Sequence, residues 1–334
     1  MMTDRLSLVG DAPTETLTDF GTDIAHGLSQ PLKTISCRWL YDEIGSELFE
    51  QICGLPEYYP TRAEAEILAA NAAEIVELAG LDATCVELGS GSSVKTRSVL
   101  DAFFAAFVDG RKRLTYVPID ISPTALETSA RVLLADYPGL DVIGIVGEYR
   151  RGFEWLAEHT ERRKLVLWLG SNVGNFDRES AASFLHEMRT HMTADDRLLI
   201  GIDLRKDARI LEAAYDDAAG VTARFNINVL TRINRELGGT FDLDGFEYEA
   251  VYDEDSGRVV MNLVSLRAQT VRIEALDLTV AFDPGERIHT EDSRKFSFDE
   301  IDALAASAGF AVQQRWLDGA SRYSVNLFAP SGTA

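Results

Sequence analysis

The chain of 334 residues has little with which to staple itself: its three cysteines, Cys37, Cys53 and Cys85, are odd in number and lack the paired spacing of a metal site. That excludes a disulfide framework and suits reduced thiols in a cytoplasmic protein, which is the expected location. Basic residues are short as well, with 32 Lys+Arg against 54 Asp+Glu and a net charge of −22. A field of that sign repels phosphate backbones and anionic bilayers, and no basic patch interrupts it, so neither nucleic acid nor membrane is an expected partner. Long apolar runs are missing too. No stretch of about 18 apolar residues occurs, so no transmembrane helix is expected, and residues 1–10 lack the hydrophobic region of a signal peptide. Of the five histidines, His186 and His191 are five apart and off a common helix face, so no zinc site is expected. Repeats and low-complexity tracts are absent.

What is present is ordinary globular material, 46% hydrophobic and 26% charged. Residues 1–62 read as mixed and helical, closing in the turn-rich Leu55-Pro-Glu-Tyr-Tyr-Pro-Thr61. From residue 63 short apolar runs alternate with helical periodicity. Strands are expected at 84–88, 114–119, 142–146, 165–169 and 198–202, with helices such as 63–79, 124–136 and 179–191 between them. That alternation implies a parallel sheet covered on both faces. Beyond residue 206 the runs 246–252, 259–266, 269–273 and 278–282, joined by Asp255-Ser-Gly257 and Asp283-Pro-Gly285, imply an antiparallel meander. A last helix, 298–308, leads into strands 311–317 and 323–328, which return to the first sheet as an edge hairpin. The fold class expected is α/β, a Rossmann-like domain of residues 63–204 plus 295–334 with a smaller α+β domain of residues 1–62 plus 205–294.

The most informative stretch is Val86-Glu-Leu-Gly-Ser-Gly-Ser-Ser-Val-Lys-Thr96, a buried strand entering a glycine loop before a helix. In doubly wound folds this loop stands at the carboxyl end of the sheet, where nucleotide-like ligands bind. A P-loop needs Gly directly before the Lys-Ser/Thr pair, and Val94 stands there. Val94 also occupies the place of the third small residue of a dinucleotide fingerprint, which argues against a nicotinamide-dependent oxidoreductase. The Glu-x-Gly-x-Gly loop of S-adenosylmethionine-dependent methyltransferases remains. The next strands end in Asp120, placed for ribose hydroxyls, and in Glu148-Tyr149, an acid and a ring for adenine. Three such residues in series at consecutive strand ends favour a site over solvent-facing acids.

The chain also resembles the histidine-specific, S-adenosylmethionine-dependent methyltransferases of ergothioneine biosynthesis, which trimethylate the α-amino group of L-histidine to hercynine. The resemblance rests on Trp39-Leu-Tyr-Asp-Glu-Ile-Gly-Ser46, Leu55-Pro-Glu-Tyr-Tyr-Pro-Thr-Arg62, Leu169-Gly-Ser-Asn-Val-Gly-Asn175 and Tyr215-Asp-Asp-Ala-Ala-Gly-Val-Thr222, followed by Asn228-Val-Leu, Asn234-Arg-Glu-Leu and Thr290-Glu-Asp-Ser-Arg-Lys-Phe296. It implies a methyltransferase domain joined to a substrate domain with the active site between them, and S-adenosylmethionine as methyl donor; that chemistry needs no metal, and a monomer is expected. Carried over by motif, Asn175 and Tyr215 would hold the substrate carboxylate, and Tyr58, Glu291 and Ser293 the imidazole. Tyr41 would lie near the amino group, with Phe49, Gly170 and Met261 lining the site. Tyr41 and Tyr58 are the candidates for carrying the leaving proton. Gly89, Gly91, Lys95, Asp120, Glu148 and Tyr149 would bind the methyl donor. Two positions depart from the pattern: the adenine pair is more often Asp-Phe than Glu148-Tyr149, and Asp292 replaces a small apolar residue, which places an extra charge near the imidazole.

The residues themselves admit that chemistry. Glu291 and Ser293 are two apart, so on extended backbone they share a face, and a carboxylate with a hydroxyl suits an imidazole. Without the resemblance, a surface strand with ordinary polar residues is the simpler reading of the pair. The same holds for Asn175 as a helix cap and for Tyr215 as a packed helix residue. The rivals are a methyltransferase for a different amino acid, an oxidoreductase, and a module that binds the methyl donor without turnover.

Overall fold

The computed structural model describes residues 5–10, 17–91, 93, 95–107 and 113–332. Val94, which decided between the nucleotide motifs, lies outside the described residues. In chain order the elements begin with β1 (Leu6–Val9), α1 (Leu17–Leu28), β2 (Lys33–Thr34), α2 (Glu43–Cys53) and α3 (Pro60–Ala79). An alternating run follows: β3 (Thr84–Leu88), α4 (Thr96–Ala106), β4 (Leu114–Asp120), α5 (Pro123–Asp136), β5 (Leu140–Val146), α6 (Tyr149–His159), β6 (Lys164–Trp168), α7 (Arg178–Thr190) and β7 (Arg197–Asp203). Then come α8 (Ala208–Tyr215), α9 (Val221–Leu237), β8 (Phe246–Asp253), β9 (Arg258–Ser265), β10 (Gln269–Ile273), β11 (Leu278–Phe282) and β12 (Arg287–Arg294). The chain closes with α10 (Phe298–Ser307), β13 (Phe310–Leu317) and β14 (Tyr323–Pro330).

Two compact units result: Met1–Thr14 with Arg62–Leu204 and Phe296–Ala334, and Glu15–Thr61 with Arg205–Lys295. In the first, eight strands form one sheet in the order β1-β5-β4-β3-β6-β7-β14-β13. Its first six strands are parallel, and β14 and β13 return antiparallel as the expected edge hairpin. Every residue of β3 and β6 is buried, because helices cover both faces of a parallel sheet, and the strands are accordingly mostly apolar, with Glu87 and Lys164 as buried exceptions. Val86, Val117, Val166 and Ile200 of the strands join Phe153, Leu185 and Ile301 of the helices in one core. Helix starts are fixed by side chains: Ser122 accepts from the Ala125 N–H with Pro123 in the first turn, and Ser297 and Glu300 form a reciprocal capping box. This is the Rossmann-like α/β architecture anticipated from the alternation.

One assignment is corrected. Residues 1–62 were expected to belong to the smaller domain, yet Leu6–Val9 pair in parallel with Val142–Ile145 as the edge of the large sheet. The Arg5 guanidinium anchors that strand, donating to the carbonyls of Leu134, Tyr137, Pro138 and Leu140 at the end of α5. Four residues carry too little periodicity to announce a strand.

The second unit holds a four-stranded sheet, β2-β12-β9-β8, and a separate hairpin of β10 with β11. The single meander expected from the sequence is therefore broken: β12 passes beside β9 instead of extending the hairpin. Helix α9 ends at Gly238 in the left-handed conformation, φ 65°, which glycine adopts without strain. Between His289 and Glu291 the register of β12 against β9 slips by a bulge at Thr290. Bulges re-aim the side chains that follow them.

Candidate active site

In the first unit, β3 runs into Gly89, whose N–H donates to the Ile119 carbonyl at 2.9 Å with φ at 65°. A Cβ at that position would lie 2.8 Å from the Tyr149 hydroxyl, so a side chain there would have to displace the end of Tyr149 on backbone that already favours glycine. Gly91, φ 46°, has nothing within 4 Å on its Cβ side. Asp120, at the end of β4, accepts from the Gly91 N–H at 3.4 Å and the Ser122 N–H at 3.0 Å. Burial raises its pKa above the usual carboxylate value even though those amides favour the charged form. Ser90, between the two glycines, has a buried hydroxyl with no hydrogen-bond partner among the described residues. An orphaned donor in a glycine loop, open backbone and a carboxylate at the next strand end fit the nucleoside of S-adenosylmethionine.

The structure thus brings Gly89, Gly91, Asp120 and Tyr149 together. Glu148 is exposed at the start of α6 and makes no side-chain cap. The Lys95 ammonium pairs with Glu64, a fully buried carboxylate of α3 that sequence reasoning passed over. Glu64 also accepts from the Gly170 N–H at 2.8 Å and from the Tyr323 hydroxyl at 2.7 Å. A Cβ at Gly170 would come within 3.6 Å of the Lys95 nitrogen, so one carboxylate braces the lysine and the glycine turn after β6. Asn175 ends a short 3-10 helix, Asn172–Asn175, half-buried. The cap of α7 that competed for it belongs instead to Asp177, which accepts from the Ser180 N–H at 2.8 Å.

Glu87, the acid of the loop motif, faces the interior of the same unit, accepting from the Thr96 hydroxyl at 2.6 Å and from the Tyr116 hydroxyl. Desolvation pushes its pKa up to about 7.

In the second unit the aromatic residues singled out from sequence form one continuous cluster. Ring centroids of Tyr41 and Phe49 are 5.4 Å apart, Phe49 and Tyr58 6.4 Å, and Tyr58 and Tyr215 5.9 Å, mostly edge to face. Phe225 of α9, missed in the sequence, packs at 5.2 Å from Tyr41 and 6.1 Å from Phe49. Desolvation above all holds the Tyr41 and Tyr58 hydroxyls well above the ordinary phenol pKa, with Glu291 adding to it at Tyr41 and the Tyr215 phenol at Tyr58. Both therefore stay protonated at working pH, poor bases in themselves but able to relay a proton by accepting one while giving up their own.

Glu291 and Ser293 lie on β12 with the alternation expected of them. Glu291 pairs with Met261 of β9 and Ser293 with Val259, and all four are buried. Burial drives the Glu291 carboxyl up to about 7, opposed by Lys295 and helped by Asp292. The Ser293 hydroxyl is 2.8 Å from that of Tyr215, and the ammonium of the fully buried Lys295 is 2.7 Å from each. Thr290, at the bulge, donates to Asn226 at 2.7 Å and so ties β12 to α9.

Asp292 is held by two neighbours on its own sheet. It accepts from Arg258 at 2.7 Å and meets His289 at 3.1 Å, and these two contacts outweigh burial to hold its carboxyl below the usual range. His159 stacks on Trp155 and His191 on Phe153. Among the described residues no three His, Cys, Asp or Glu side chains converge as a metal site.

A sequence profile for the family described as histidine-specific methyltransferase, SAM-dependent, matches residues 20–330. The chain is 43% identical over 305 residues to a histidine N-alpha-methyltransferase of Mycolicibacterium smegmatis, covering 91% of this chain and 93% of the relative. A protein of the same name from Mycobacterium tuberculosis is 43% identical over 308 residues, covering 92% and 94%. Ergothioneine biosynthesis protein 1 of Neurospora crassa is 34% identical over 298 residues, covering 87% of this chain and 32% of that longer relative.

Proposed function

Because the chain belongs to the histidine-specific, S-adenosylmethionine-dependent methyltransferases, we propose that it places three methyl groups on the α-amino nitrogen of L-histidine, yielding hercynine for ergothioneine biosynthesis. It is an enzyme, and its substrates are L-histidine and S-adenosylmethionine. The observation that carries the residue assignments is the Glu291–Ser293 pair, a buried carboxyl and hydroxyl on one strand face with Met261 beside them. A polar ring with two nitrogens satisfies that pair, whereas a wholly apolar side chain leaves it unsatisfied.

In this reading Asn175 and Tyr215 hold the carboxylate, Tyr58, Glu291 and Ser293 hold the imidazole, and Tyr41 stands by the amino group. Phe49, Gly170 and Met261 line the remainder, and Phe225 joins the aromatic set. Gly89, Gly91, Lys95, Asp120, Glu148 and Tyr149 bind the methyl donor, with Ser90 an added candidate through its orphaned hydroxyl. When bound, S-adenosylmethionine would supply an electrophilic methyl on its sulfonium, to be taken by the amine nitrogen with S-adenosylhomocysteine leaving as the neutral thioether.

The protein's task is then to align the amine with its lone pair free and to carry away the proton that the nitrogen bears after the first and second transfers. Tyr41 and Tyr58, held as phenols, pass that proton on by accepting with a lone pair while donating their own. Aromatic faces from Tyr41, Phe49 and Phe225 suit the fixed cation that the third transfer creates. The three cysteines are free thiols, which favours a reducing cytoplasm. No helix of the described residues is long and apolar enough to cross a membrane. A monomer is the simplest state for these assignments.

Product analysis tests the proposal. With excess methyl donor, L-histidine should accumulate as the Nα-trimethyl product, with every methyl on the α-nitrogen in fragmentation spectra. A stalled monomethyl product or methylation of a ring nitrogen would overturn it.

A further inference from the structure

Lys295 is fully buried at the end of β12, two residues beyond Ser293. Its ammonium donates to the Tyr215 hydroxyl and to the Ser293 hydroxyl, each at 2.7 Å, and lies 4.4 Å from the centroid of the Tyr215 ring. The two hydroxyl oxygens are themselves 2.8 Å apart. An ammonium has hydrogens to give and no lone pair to receive, so both oxygens act as acceptors toward Lys295. Each hydroxyl keeps one hydrogen. One of the two hydrogens lies along the oxygen–oxygen contact, which leaves a single hydrogen directed out of the triangle.

The backbone around the triangle is fixed on both sides. The Tyr248 hydroxyl donates to the Tyr215 carbonyl at 2.8 Å, and the Lys295 N–H donates to the Gly257 carbonyl at 2.7 Å. A Cβ at Gly257 would fall 2.9 Å from the Lys295 carbonyl, so that approach depends on glycine. What the triangle leaves open is which of the two hydroxyls donates to the other.

We propose that Lys295 is a positioning residue which, by donating to both hydroxyls, leaves them one outward hydrogen to share and thereby couples recognition of the substrate carboxylate to recognition of its ring. This rests on the reading above, in which Tyr215 meets the carboxylate and Ser293 the imidazole. A carboxylate accepts only, so it draws the outward hydrogen from Tyr215. The Ser293 hydrogen must then point to the Tyr215 oxygen, and Ser293 meets the imidazole as an acceptor of its N–H. One chain of hydrogen bonds runs from ring N–H to Ser293, from Ser293 to Tyr215 and from Tyr215 to the carboxylate, with Lys295 donating to both hydroxyls. Bonds in such a chain polarise one another, so its two ends are not independent.

The test compares L-histidine with L-histidinol, which carries a hydroxymethyl group in place of the carboxylate. Dissociation constants are measured calorimetrically in the presence of S-adenosylhomocysteine, beside KM and kcat for L-histidine. The wild type should prefer L-histidine. Ser293→Ala, although it removes a group at the ring end, should reduce that preference about three- to tenfold, the worth of one hydrogen bond. Lys295→Met should erase most of the preference, raising KM far more than it lowers kcat, while Lys295→Gln, which keeps two N–H donors, should retain it within about threefold. If Ser293→Ala weakens both ligands equally, the coupling is wrong. If Lys295→Met and Lys295→Gln shift both ligands and the melting temperature alike, Lys295 is a scaffold residue and the inference falls. A wild type that leaves L-histidine unmethylated overturns the proposed function instead.

Discussion

Glu291 and Met261 are register partners on β12 and β9, so the carboxyl and the thioether leave the sheet from the same face. The pair sets a polar contact directly beside an apolar one, which is the pattern of a heterocycle whose edge bonds and whose faces pack. Glu291→Ala should therefore raise KM for L-histidine by about a hundredfold or more with a smaller change in kcat, the signature of lost binding, on the scale seen when a buried polar contact to a substrate is removed. Steady-state kinetics with L-histidine check this, and an unchanged KM would remove Glu291 from the ring contact.

The pH dependence of stability follows from Glu87. Desolvation lifts its pKa in the folded protein to about 7, from an ordinary 4.5. Between those values the folded protein keeps a proton that the unfolded chain has released, so unfolding releases a proton. Stability from this group is greatest below pH 4.5 and declines as pH rises through 7. Melting temperatures of Glu87→Gln, compared with wild type from pH 5 to 8, should show a shallower decline, since the amide does not titrate.

Glu64 braces two parts of the methyl-donor loop region at once, the Lys95 ammonium and the Gly170 N–H. Removing one partner of a buried ion pair costs about 3–5 kcal/mol, so Glu64→Ala should lower stability by that order. Glu64→Gln, which keeps an acceptor, should fold and bind S-adenosylhomocysteine about tenfold more weakly, the effect expected when one charge-assisted contact is lost. Chemical denaturation and calorimetry separate the two effects.

Gly89→Ala places a Cβ 2.8 Å from the Tyr149 hydroxyl on backbone at φ 65°. Left-handed backbone alone costs a residue with a Cβ about 1–2 kcal/mol. The substitution should weaken binding of S-adenosylhomocysteine and lower the melting temperature. Adding Tyr149→Phe removes the clashing oxygen and should recover part of the loss, leaving the backbone cost in place. Equal defects in the single and double variants would mean that the contact with Tyr149 is not the cause.

Much of this was legible because the relevant physics is local. Val86, Val117 and Val166 sit in short, mostly apolar runs of the kind a doubly covered parallel sheet requires, and Gly89 and Asp120 stand at strand ends where such sheets bind ligands. Strand β12 was harder to see because Arg287, His289, Glu291, Asp292 and Arg294 make it polar, and its buried positions are paid out to polar residues around a bulge. Glu64 resembles its neighbour Glu66 in an acidic helical stretch, yet one is fully buried and the other exposed. The available signal was spacing: Ile67 and Leu68 follow Glu64 by three and four residues, which puts it on the apolar stripe of α3. Phe225 and Lys295 gave no comparable local sign, since their neighbours Tyr41 and Tyr215 are distant in sequence and meet them only in the fold.

The central claim is that this site selects one amino acid by its ring. The most direct measurement supplies the purified protein with S-adenosylmethionine and an equimolar mixture of the twenty amino acids, then identifies every methylated product by mass spectrometry. Nα-trimethylhistidine as the sole major product is the predicted result. A methylated product from another amino acid in comparable yield would contradict the assignment of Glu291 and Ser293 to the imidazole.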